Sequence, residues 1–151
     1  MKIAVFPALA RGEQSRKPVW PADFAWPWGD ALPAVGEEAP DVRVINLEAS
    51  VTRSADFAPG KADHYRMNPD NLPCVAAIRA DVCALGNNHR LDFGERGLPE
   101  TLGTLADAGL ATAGARLDAT EARRPAVVPP PGGGRVIVFC CGTASSGIPA
   151  H

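Results

Sequence analysis

Short apolar runs alternate along this chain with segments of helical spacing, and that alternation restricts the possible folds more than any other feature. Val42-Arg43-Val44-Ile45, Asp81 to Leu85, Leu110 to Ala113 and Arg135 to Cys141 each have the character of a strand. Between them, Ala31 to Ala39, Pro69 to Ala80 and the stretch carrying Leu98, Leu102 and Leu105 have the character of helices. Asp30 stands where an N-cap carboxylate would accept the first free amides, Pro99 in a first helical turn, and Gly109 where that helix stops. Helices alternating with buried strands predict an α/β domain around a largely parallel sheet. Residues 1–28 break the pattern with four prolines and three tryptophans (Trp20, Trp26, Trp28), so an irregular segment is expected there and the α/β domain over 29–151. Residues 50–68, polar around Pro59-Gly60, are expected to form a long loop.

A chain of 151 residues is long enough to bury one core and too short for two. With 46% hydrophobic and 21% charged residues, it is not disordered as a whole. The net charge of −2 argues against a protein that binds nucleic acid or an anionic membrane surface, and no cluster of Lys and Arg is present to build such a face. Val136 to Cys141 is the longest apolar run, far below the ~20 residues of a membrane helix. Pro7 and Arg11 cut the opening apolar run too early for a secretory leader, so a cytoplasmic protein is expected. The four cysteines have no CxxC spacing, which argues against a zinc site or a disulfide framework. Gly132-Gly133-Gly134 precedes a strand, whereas a phosphate-binding loop follows one.

In parallel sheets ligands bind beyond the carboxyl ends of the strands. Asn46-Leu47-Glu48 follows one predicted strand and Asn87-Asn88-His89 another, so two polar clusters should meet at one edge. Glu48, Asn88 and His89, with Asp92 three residues on, make a mixed oxygen and nitrogen set suited to Mn²⁺, Fe²⁺ or Zn²⁺. A metal there would polarise a phosphoryl oxygen and bring the pKa of bound water down to roughly 7. His89 would otherwise protonate the leaving oxygen. On the residues alone, plainer accounts stay open: Asn-Asn caps a turn, a single His is a hydrogen-bonded structural residue, and Lys61, Arg66 and Arg90 are solvated loop cations.

The run Asn46-Leu47-Glu48-Ala49-Ser50-Val51-Thr52, the loop Lys61 to Pro69, the run Asn87-Asn88-His89-Arg90-Leu91-Asp92-Phe93-Gly94, and Gly97 to Leu102 resemble the CapA-type poly-gamma-glutamate capsule biosynthesis proteins. Ala108-Gly109 and Ala113-Gly114-Ala115 extend the likeness, which covers about residues 24 to 149. That family belongs to the calcineurin-like metallophosphoesterase superfamily. The resemblance implies an α/β/β/α sandwich and a two-metal site for hydrolysis of a phosphate ester or another anionic small substrate. It implies Glu48 and Asn88 as metal ligands, His89 as the residue contacting phosphate or acting as acid, and Asp92 as the group orienting His89. Lys61 and Arg66 would meet the substrate.

The chain also departs from that pattern. Family members open with a strand closing on Gly-Asp, and no such strand is expected before Asn46, Gly29-Asp30 being a helix start. The later His-Trp-Gly and Gly-His steps have no counterpart, and the only histidines are His64, His89 and His151. The expectation is therefore a partial sandwich with an incomplete central sheet, holding a divalent ion without the family's complete two-metal site, in an internal piece of a longer protein. Its exposed sheet edges would favour self-association. Two functional readings follow: a weakly active or inactive metal-dependent phosphoesterase-like hydrolase, or a non-catalytic remnant or binding module that keeps the fold.

Overall fold

The computed structural model describes residue 1, residues 3–6 and residues 22–148, with residues 3–6 described by their backbone. Trp20 and His151 lie outside the described residues. Four strands form one parallel sheet in the order β1 (Ile3–Phe6), β2 (Val42–Asn46), β5 (Val82–Ala84), β6 (Ala111–Ala113). Two two-residue strands, β3 (Ser50–Val51) and β4 (Arg66–Met67), pair in parallel, and β7 (Ala126–Val128) pairs antiparallel with β8 (Val136–Val138). The helices are α1 (Ala31–Glu38), α2 (Pro73–Ala77), α3 (Gly94–Asp107) and the single turn α4 (Ala119–Ala122). The chain is thus an α/β protein around a parallel sheet.

Strand order follows chain order, so right-handed crossovers place every connecting helix on the same face of the sheet. Side-chain alternation then divides the interior. Ile45, Cys83 and Leu85 face the helical side, where they pack with Val35 of α1, Val75 of α2 and Leu105 of α3. Val42, Val44, Val82 and Ala113 face the other side, where Ala126 of β7 and Val136 of β8 cover them. Among the described residues this gives three layers: helices, parallel sheet, hairpin.

Several expectations are corrected. Ile3–Phe6 is a strand inside the segment 1–28 expected to be irregular, paired with β2 from Ile3↔Val42 to Phe6↔Ile45; the sequence after it is Pro7-Ala8, not Gly-Asp. Four apolar residues ended by Pro7 are few for a free-standing pattern but enough to line an existing parallel neighbour. Arg135 to Cys141 shortens to Val136–Val138 and joins a hairpin, because the turn 129–134 is short enough to fold the chain straight back on β7. The loop 50–68 is clipped at both ends by β3 and β4. Pro69 to Ala80 divides into a 3₁₀ turn, Pro69–Asn71, and α2. Asn68 caps that turn, its Oδ1 accepting from Asp70 N at 3.0 Å. Asp30 precedes α1 without any side-chain cap. Helix α3 starts at Gly94, which puts Pro99 inside it and removes one ladder hydrogen bond.

Candidate functional site

Three turns come together at the carboxyl edge of the parallel sheet: residues 46–48 after β2, residues 86–93 after β5, and the loop between β3 and β4. Asn87 ties the first two. Its Nδ2 donates to Asn46 Oδ1 at 3.1 Å and to the Leu47 carbonyl at 3.0 Å, while its Oδ1 accepts the His89 amide at 3.0 Å. Asn87 therefore does cap a turn, as the plainer account holds, and the cap fixes where His89 starts. Ser50 Oγ donates to the His89 carbonyl at 3.2 Å and pins the same turn from β3.

Asp92 is the organising charge. Its carboxylate has no exposure to solvent. Oδ2 meets His89 Nδ1 at 2.8 Å and accepts the Tyr65 amide at 2.6 Å, and Oδ1 is ion-paired with Lys61 Nζ. Burial pushes the Asp92 pKa up, but Lys61, the Tyr65 amide and His89 outweigh it and hold the carboxyl below its ordinary range. A carboxylate only accepts, so the contact assigns a proton to Nδ1, and in the neutral ring Nε2 then holds the lone pair. Nε2 has no hydrogen-bond partner among the described residues. The imidazole is buried and stacked under Tyr65, the ring centroids 3.9 Å apart and the planes within 10°.

The residues singled out from the sequence are thus partly assembled. His89 and Asp92 are in contact, as the resemblance implies. Lys61 belongs to the same cluster, but as the counter-ion of Asp92 and a donor to the Asn88 carbonyl, not as a free cation awaiting substrate. Arg66 donates from Nη1 to the Ser54 carbonyl at 2.8 Å and lies over the Phe93 ring at 5.2 Å, holding its own loop. Glu48 is half-buried after β2 and its Oε1 accepts Asn46 Nδ2 at 2.9 Å. His64 is bonded to the Ala58 carbonyl at 2.8 Å and packs against Phe57 and Phe93. Among the described residues no three His, Cys, Asp or Glu side chains stand where they would hold a metal ion.

Sequence reasoning missed Tyr65, Asn87 as a brace, and Arg90. Tyr65 lies within the Lys61 to Pro69 loop that carries the resemblance, and that position was the one signal for it. Arg90 is not solvated: it is half-buried, with Nη1 donating to the Gly114 carbonyl at 2.8 Å.

The fold and these turns define a parallel α/β protein with a polar site at the carboxyl edge of its sheet. The family described as bacterial capsule synthesis protein PGA_cap matches residues 5–151, and the chain belongs to that family. It is 47% identical over 141 residues to the probable polyglutamine synthesis accessory proteins of Mycobacterium tuberculosis strains CDC 1551 / Oshkosh and ATCC 25618 / H37Rv. The alignment takes in 93% of this chain and 37% of each relative, so the chain spans little more than a third of their length. No helix among the described residues is long and apolar enough to cross a membrane.

Proposed function

We propose that this chain carries part of a hydrolytic centre serving capsule or poly-glutamate synthesis, acting on a phosphate ester or a comparable anionic small molecule. The observation that supports it is the buried Asp92 holding His89 by Nδ1 while Lys61 keeps the carboxylate charged. With Nε2 carrying the lone pair, His89 takes a proton from water or, once protonated, gives it to a leaving oxygen. Asp92 stabilises the imidazolium in either case, and Tyr65 fixes the ring plane. Glu48 and Asn88 would offer oxygens to one divalent ion such as Mn²⁺, Fe²⁺ or Zn²⁺. The remaining donors would have to come from outside the described residues, and no step is assigned to the metal.

The same donor count favours a second reading, a non-catalytic module that binds without hydrolysing. Purification with Mn²⁺, metal analysis per chain, and assays with p-nitrophenyl phosphate and bis(p-nitrophenyl) phosphate separate the two. The hydrolytic reading expects turnover that His89→Ala lowers by roughly 10²–10⁴-fold. Absent turnover in the unaltered chain, or turnover unchanged in His89→Ala, overturns it in favour of the binding module. Mn²⁺ occupancy should fall in Glu48→Gln, and unaltered occupancy there removes Glu48 from the ligand set.

A further inference from the structure

A cavity of about 540 Å³ adjoins Asn87 at the same edge of the sheet. Gly86 and Gly114, which follow β5 and β6, form part of its wall, and the segment from Phe139 onward forms another part. Its charged lining is Arg90 and Arg123, and no Asp or Glu lines it among the described residues. That volume falls within the range of small-molecule sites, roughly 300–1,000 Å³.

Arg90 is the informative residue. Its Nε is sealed from solvent and has no hydrogen-bond partner, and Nη1 has only the Gly114 carbonyl. No carboxylate pairs with it among the described residues. A guanidinium stays charged at any physiological pH, and a charge withdrawn from water is costly unless a counter-charge or acceptors meet it. The sealed Nε is out of reach of the cavity, but Nη2, neither sealed nor hydrogen-bonded among the described residues, is the nitrogen that an oxyanion in the cavity would meet. Arg123 at the cavity lining adds a second positive charge.

Cys140 lies in the same wall and is held in place. The Gly86 amide donates to its Sγ at 3.2 Å. A Cβ on Gly114, whose φ is +87°, would come within 2.8 Å of the Cys140 carbonyl oxygen, so the two segments are in direct contact. We propose that this cavity binds a small molecule through a carboxylate or phosphate group, held by Arg90 and Arg123. The assignment rests on the cavity's charge and shape and is independent of hydrolysis at His89.

Cys140 supplies the test. In the folded Cys141→Ser chain, Cys140 is alkylated separately by iodoacetate, which is anionic, and by iodoacetamide, which is neutral. In both reactions the thiolate displaces iodide from the same carbon, so the ratio of rates cancels the thiolate fraction and reports the local field. Cys74 and Cys83 are buried, and Cys140→Ser in the same background identifies any signal from them. A cationic cavity should raise the iodoacetate-to-iodoacetamide ratio roughly tenfold over that of glutathione. Arg90→Gln should return it towards the glutathione value and Arg123→Gln should lower it in part. Should Arg90→Gln fail to fold, Arg123→Gln and competition decide. Inorganic phosphate and glutarate are each added at roughly 10 mM, enough to fill a site with a Kd of about 1 mM. Slowing by phosphate alone assigns a phosphate ligand, slowing by glutarate alone a carboxylate, and slowing by both an oxyanion of either kind. A glutathione-like ratio in the unaltered cavity, or no slowing by either anion, overturns the proposal whatever the outcome at His89.

Discussion

Arg90 and Asp92 stand two residues apart on the same turn after β5, and their surroundings are opposite. Asp92 is fully enclosed and every oxygen has a partner: an ammonium, an imidazole and a backbone amide. Arg90 is partly enclosed, with one carbonyl for five donors and a buried Nε that meets nothing among the described residues. A saturated charge fixes the geometry of its neighbours, whereas an unsaturated one leaves binding capacity for something else. One turn of chain thus supplies both a rigid brace and an open receptor.

The largest expected effect breaks the brace. Asp92→Ala leaves Lys61 and His89 without their shared acceptor, and should lower unfolding stability by about 3–5 kcal/mol in urea titration, as loss of one partner from a buried pair does. Leu105→Ala calibrates that loss against pure packing. Leu105 is fully buried between α3 and the sheet, and its truncation should cost about 3 kcal/mol by the same titration without altering either charged group.

The same brace sets the acid limb of stability. Asp92 has a folded pKa below its unfolded value, so its contribution is complete above the unfolded pKa and disappears as pH falls through the folded one. Melting curves from pH 6 downwards should show wild type losing stability in the acid range, with a smaller decline in Asp92→Asn. Equal slopes would mean that other carboxylates carry the acid response. Arg90→Met sharpens the comparison from the other side. Because Arg90 has no counter-charge among the described residues, an apolar side chain of similar length should change stability by only about 1 kcal/mol in either direction. A loss near that of Asp92→Ala would mean that Arg90 is as firmly partnered as Asp92. The smallest effect belongs to Ile137, 56% exposed on the outer side of β8, where Ile137→Thr should stay within about 0.5 kcal/mol.

The parallel core was legible because β5 is apolar throughout and β2 and β6 are each interrupted by a single polar residue before their ends, Arg43 and Thr112. The carboxyl-edge clusters were legible for the complementary reason: the polar residues Asn46, Glu48, Asn87, Asn88 and His89 come within a few positions of the ends of those runs. What could not be seen is what depends on pairing and on distant partners. Ile3–Phe6 becomes a strand by alignment with β2, and β3 and β4 are two residues each and exist through each other. Lys61 lies 31 residues from Asp92, and nothing in its neighbours distinguishes a loop cation from a counter-ion. Arg90 likewise reads as a surface residue until Gly114 and Cys140 are brought against it.

The order of strands across the parallel sheet also bears on how the chain reaches its fold. Ile3 aligns with Val42, Val44 with Val82 and Val82 with Ala111, so each pairing closes a segment of roughly 30–40 residues. Closure entropy rises only slowly with length, so these steps are of similar cost and none waits for a distant end of the chain. As the polypeptide leaves the ribosome from its amino end, each new strand finds its neighbour already synthesised, and the sheet can grow by addition at one edge. Both polar turns are carried into place by that growth, the Glu48 turn with β2 and the His89 turn with β5.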